Sequence, residues 1–202
     1  MRQAAASLAL AVTALLAAPS AFAGAQQYEP LANNVRAALS RAVSDRAEPQ
    51  LRFAAPEDAY RWLLEMSDRL AARVPDPRFR VELLKTVHYE ATRAGLDPQL
   101  VLGIIEVESG FKKYAVSSAG ARGLMQVMPF WADLIGDKQT NLFHLRTNLR
   151  FGCTILRHYL DIEKGDLYRA LGRYNGSLGR PGYPGLVLGA WRGKFHYAGR
   201  PA

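Results

Sequence analysis

The chain reads as a mainly α protein on two observations. Apolar residues recur at helical spacing through most of its length, and no strand-like alternation of any length appears. The helical stretches are also punctuated. Asp97-Pro98 and Asp166 are placed to open helices, and Gly95, Gly110 and Gly165 are placed to close them.

The first 23 residues read as a signal peptide rather than as fold. Arg2 gives a positive start, Ala4 to Ala18 is a short apolar run, and Ala21-Phe22-Ala23 before Gly24 fits a cleavage site. The run is short for a membrane span, and no cysteine follows it to carry a lipid. The expectation is an exported chain without stable membrane insertion after cleavage, periplasmic or secreted.

Residues 24–75 read as an N-terminal helical extension. Leu31 to Val43 forms an amphipathic helix, Arg46 to Pro56 a linker, and a second helix starts at Pro56-Glu57-Asp58 and runs to Leu70. Trp62 lies on the apolar stripe of that helix, so core packing outweighs sugar stacking. Pro75-Asp76-Pro77 marks a break, and residues 76–202 read as the main domain. Phe79 to Ala94 is its first helix, with Glu82 and Glu90 read as surface residues and His88 as a helix-face residue.

The next helix carries the chemistry. Asp97 is its N-cap, Pro98 its first residue and Gly110 its stop. Two carboxylates near its end, Glu106 and Glu108, point to different faces. One turn before Glu108 lie Ile104 and Ile105, with Val101 further back; Glu106 follows the less apolar Leu102, Gly103 and Gln99. Glu108 is therefore the carboxylate expected to lose water. Desolvation and the negative end of the helix dipole both disfavour its charged form. On the helix alone, an acid and a plain salt bridge to arginine both remain open.

Lys112 to Arg122 is a Ser, Gly and Lys-rich loop, and Leu124 to Pro129 an apolar turn with one amide, Gln126. Trp131 reads equally as a sugar-stacking ring or a core closure. Thr147 to Lys164 is a long helix whose apolar part holds Cys153, read as a buried small hydrophobe. Leu167 to Tyr174 is a short helix. The Gly and Pro-rich stretch from Gly176 to Gly185 reads as a loop, and Leu186 to Ala198 as a terminal helix.

Composition narrows the function. The 202 residues carry a net charge of +8, with one cysteine and four scattered histidines. No disulfide and no metal site follow from these, and no cofactor is expected. The basic surface suits polyanions such as the cell wall. Nucleic acid is disfavoured, because the arginines are spread end to end and no RNP or zinc-finger pattern occurs.

Glu108-Ser109-Gly110-Phe111, Ala115-Val116-Ser117, Gly120 and Gly123-Leu124-Met125-Gln126-Val127-Met128-Pro129 together resemble the core of soluble lytic transglycosylases. Ala94 to Leu102 is similar to that family's lead-in, and Arg173-Tyr174-Asn175-Gly176 to its last block. The chain departs from the pattern at Lys112-Lys113, Ser117-Ser118 and Gly172-Arg173. The resemblance implies a lysozyme-like transglycosylase domain, with a small β element in the Lys112 to Arg122 loop. It implies Glu108 as acid then base, and Ser117, Gln126, Met128, Tyr174 and Asn175 in the glycan groove. Gln126 equally reads as a buried amide satisfying its own loop, and Asn175 as a helix cap.

The implied reaction cleaves the MurNAc-GlcNAc β-1,4 bond of peptidoglycan strands and leaves a 1,6-anhydromuramoyl end. The alternatives are a lysozyme-type muramidase and a non-catalytic wall-binding factor. A cell-envelope assembly is the further partner such an enzyme would serve.

Overall fold

The computed structural model describes residues 26–44, 47–137 and 139–199. The signal peptide read over 1–23 lies outside the described residues. Within them the chain forms α1 (Asn33–Ser44), α2 (Pro56–Leu70), α3 (Pro77–Arg93), α4 (Pro98–Glu108), α5 (Pro129–Ile135), α6 (Leu145–Ile162), α7 (Leu167–Asn175) and α8 (Gly182–Arg192). Three of these start as the sequence dictates. The side chains of Asp76, Asp97 and Asp166 accept from the backbone N–H groups of Arg78, Gln99 and Arg169 at 2.9, 2.7 and 3.0 Å.

Helix α4 is the central element, buried along nearly its whole length. Helix α8 packs against it at close backbone range: a Cβ on Gly103 would sit 3.2 Å from both the Trp191 nitrogen and the Val187 carbonyl oxygen. The Trp191 indole also donates to Asp97 at 3.1 Å, locking the end of α8 to the start of α4. Helix α3 lies on α4 and α6, α2 on α3, and α1 on α5 and α6. Trp62, Leu84, Val101, Ile104, Leu149 and Tyr174 share one apolar core. Among the described residues no helix is long and apolar enough to cross a membrane.

The structure corrects two sequence expectations. Glu90 is not a surface residue. It is fully buried and accepts from Arg150 Nη2 at 2.8 Å and from Arg93 Nε at 3.1 Å. Its partner on α6 lies 60 residues away, so nothing local announces the pair. The last helix also begins at Gly182 rather than Leu186 and ends at Arg192 rather than Ala198. Glycines and prolines suggested a loop, but Pro184 falls in the first turn, where a missing N–H costs nothing.

Other expectations hold. Trp62 and Cys153 are core residues, each 1% exposed, and burial pushes the Cys153 thiol far up. Of the two readings open for Trp131, the structure shows a ring buried in the core. His88 is buried between the Phe53 ring, stacked at 4.6 Å, and Trp62 at 5.1 Å.

Candidate active site

Glu108 is the last residue of α4 and is only 5% exposed. The Tyr183 hydroxyl donates to its Oε1 at 2.7 Å. Burial, and then the adjacent Glu108 charge, hold the Tyr183 phenol well above its usual pKa, so it stays a donor. Glu106 has the opposite surroundings. It pairs with Lys194 at 2.8 Å and Arg73 at 3.2 Å on the outer side. The two carboxylates thus divide as their helical neighbours predict.

The chain leaves α4 through two left-handed residues, Gly110 and Phe111 (φ 68°). Left-handed backbone costs a non-glycine residue about 1–3 kcal/mol, and such strain concentrates at functional sites. Phe111 persists there because its ring is buried against Phe195. The loop then folds back over the helix end. Short antiparallel bridges join Val116 to Arg122 and Arg122 to Val127, the small β element expected of this segment. The Ser109 hydroxyl donates to the Leu124 carbonyl at 2.8 Å and ties loop to helix.

Asn148 of α6 pins the same loop from behind. Its Oδ1 accepts from Met125 N–H, and its Nδ2 donates to the Arg122 and Leu142 carbonyls, all at 2.8 Å. Gly123 (φ 76°) makes this possible, since a Cβ there would lie 2.4 Å from Asn148 Nδ2.

The other residues read as groove positions fall as follows. Gln126 (φ 49°) is buried, and its Nε2 donates to the Gly123 and Ala115 carbonyls at 2.8 and 3.2 Å. Its amide nitrogen therefore supports the loop. Tyr174 is fully buried, and its hydroxyl donates to the Met125 carbonyl at 2.8 Å. Burial, and then the Glu108 charge, raise its pKa well above the usual phenol range. Asn175 is buried at the end of α7, before the left-handed Gly176 cap. Met128 caps α5 and presents its N–H to Gln26 Oε1 at 3.4 Å. The Ser117 hydroxyl accepts from Ala121 N–H within the loop, at 3.0 Å.

Tyr183, Asn148 and Gln26 carry contacts that sequence reading missed. Tyr183 lies in the Gly and Pro-rich stretch whose composition reads as a loop, and the structure places it in the first turn of α8. Asn148 had one signal, a lone amide on the apolar stripe of α6. A cavity of about 660 Å³ lies elsewhere, between α1, the start of α6 and the Ile135–Asn141 connector, and Glu108 is not in its wall. Among the described residues no group of three or more His, Cys, Asp or Glu side chains could hold a metal.

The fold and the carboxylate site define a mainly α, lysozyme-like domain in which the buried Glu108 ends the central helix. Residues 85–182 match the family model of the transglycosylase SLT domain. The chain is 34% identical over 111 residues to a transglycosylase of Enterobacteria phage PRD1, covering 52% of this chain and 41% of the phage protein. It is 56% identical over 48 residues to the membrane-bound lytic murein transglycosylase C of Actinobacillus pleuropneumoniae serotype 5b (strain L20), covering 24% of this chain and 13% of that protein. The corresponding Haemophilus influenzae (strain PittEE) protein is 49% identical over 49 residues, 24% of this chain and 14% of its own length. The chain thus spans less than half the length of each of these relatives.

Proposed function

We propose that the protein is a peptidoglycan lytic transglycosylase, exported to the periplasm, with Glu108 as its one catalytic carboxylate. Residues 76–202 form the catalytic domain in this reading, and 24–75 an extension packed on it. The observation that carries it is the setting of Glu108: a carboxyl group stripped of water at a helix end, held by a buried tyrosine hydroxyl. The names of the matched family and relatives point to the same chemistry.

Other carboxylates have structural work. Asp97 caps α4 and Asp166 caps α7, Asp137 accepts from the Gln139 N–H and the Thr140 hydroxyl, and Asp161 pairs with Arg157. A single carboxylate suffices where the substrate supplies its own nucleophile. Glu108 protonates the leaving glycosidic oxygen. It then takes the proton from the muramic acid C6 hydroxyl as that oxygen bonds to C1. The glutamate ends as it began, no water is consumed, and the product is a 1,6-anhydromuramoyl end. Met128, Tyr174, Asn175, Gln126 and Ser117 line or support the glycan groove.

The test is digestion of purified peptidoglycan by the protein and its Glu108→Gln variant, with product masses read directly. Anhydromuropeptides from the unaltered protein alone are expected. Products one water heavier would make it a muramidase, and no cleavage by either would leave a wall-binding factor.

A further inference from the structure

A polysaccharide must reach Glu108, yet the acid is only 5% exposed and Tyr174, Tyr183 and Asn175 are equally enclosed. Part of the enclosure comes from far away in the chain. The extended segment just before α1 runs alongside this site. Gln26 anchors it and is 4% exposed, whereas residues 27–30 are exposed. Its Oε1 accepts from Met128 N–H at 3.4 Å, and its carboxamide faces the Tyr174 hydroxyl. The Gln26 Nε2 is buried with no partner in hydrogen-bonding geometry. Two residues on, the Tyr28 ring meets Phe130 edge-on at 5.7 Å. Glu29 then pairs with Arg173, the neighbour of Tyr174, at 3.3 Å.

We infer that the segment from Gln26 to Pro30 is an internal occupant of the glycan groove, which saccharide must displace before Glu108 can act. This rests on the reading of Glu108 as the acid of a glycan-cleaving site. The chemistry of the anchor fits the role. A primary carboxamide offers one carbonyl acceptor and an N–H donor, the same pair that an N-acetylated hexosamine presents through its acetamido group. The clasp is also weak by construction. Its hydrogen bond is long, and its ion pair lies at the surface, where such pairs contribute about 0–1 kcal/mol.

The experiment uses the full chain carrying Glu108→Gln, so that glycan survives. Binding of a MurNAc-GlcNAc tetrasaccharide is measured by calorimetry for this parent, for the parent with Gln26→Ala, and for the parent with Glu29→Ala. If the closed form dominates the free protein by about nine to one, opening it tightens apparent binding about tenfold. Gln26→Ala should approach that gain and Glu29→Ala should give a smaller one. In the parent, saturating saccharide should speed amide hydrogen exchange across Gln26–Leu31. Equal binding by all three, or slower exchange in that segment on saccharide addition, overturns the inference. Weaker binding by Gln26→Ala overturns it too, and makes Gln26 a wall of the saccharide site. No binding by any of them overturns the glycan reading itself, and the occupant with it.

Discussion

The Tyr183 hydroxyl donates a 2.7 Å hydrogen bond to Oε1 of Glu108, across 75 residues of chain. It is delivered by the close packing of α8 on α4, and it fixes one carboxyl oxygen in a dry site. Hydrogen bonds to charged groups contribute about 1.5–3 kcal/mol, which corresponds to a factor of about 10–100 in rate. Tyr183→Phe should therefore lower kcat on peptidoglycan by about that factor with KM nearly unchanged, and cost about 1–3 kcal/mol of stability because a buried carboxylate oxygen loses its donor. Steady-state release of soluble muropeptides checks it. An unaltered kcat would remove Tyr183 from the machinery.

Gly103 sets the distance between α4 and α8. A Cβ there meets two backbone atoms at 3.2 Å, neither of which can rotate away. Overpacking of this kind costs about 1–3 kcal/mol. Gly103→Ala should lose about that much stability in urea and also lower activity, because Tyr183 rides on the displaced helix. Gly189→Ala is the contrast: nothing lies within 4 Å of a Cβ there, and alanine gains up to about 1 kcal/mol of helix propensity.

Glu90 is the buried counter-charge of Arg150. Removing one member of such a pair leaves the other charge uncompensated, at a cost of about 3–5 kcal/mol. Glu90→Ala should lower the unfolding free energy by that amount, seen as a lower urea midpoint with little change in slope. Glu82→Ala, on an exposed position of the same helix, should stay within about 0.5 kcal/mol.

His88 gives stability a pH dependence with a definite sign. Burial pushes its pKa down from 6.5 to about 4, so the folded protein holds it neutral where an unfolded chain would protonate it. Its contribution is complete above pH 6.5. It is lost as pH falls from 6.5 to about 4, by up to about 3 kcal/mol. Replacing it with phenylalanine, which can stack on Phe53, should flatten the denaturation midpoint across that window. A profile identical to that of the unaltered protein would count against His88 as the titrating group.

Local chemistry made much of this protein legible from its residues. The Asp97-Pro98 start, the Asp166 cap, the glycine stops and the helical period of apolar residues placed α3, α4 and α7 to within a few positions. The neighbours of Glu108, Ile104, Ile105 and Val101, singled it out over Glu106, because helix geometry alone decides which residues stack one turn apart. The glycines of the loop after Phe111 announced a chain that turns sharply. Each of these signals lies within a few residues of the feature it predicts.

What only the tertiary structure decided is the set of contacts between residues far apart in sequence. Tyr183 on Glu108, Asn148 on the Gly123–Met125 turn, Arg150 on Glu90 and Gln26 on Met128 join positions 23 to 102 residues apart. Propensity and periodicity say that these segments are helix or loop, and nothing about which side chains meet. That follows from how closely the helices pack, and here the packing depends on a missing side chain at Gly103. The sequence determined most of the helices and the candidate acid; the close approach of α8 to α4 determined which tyrosine holds it.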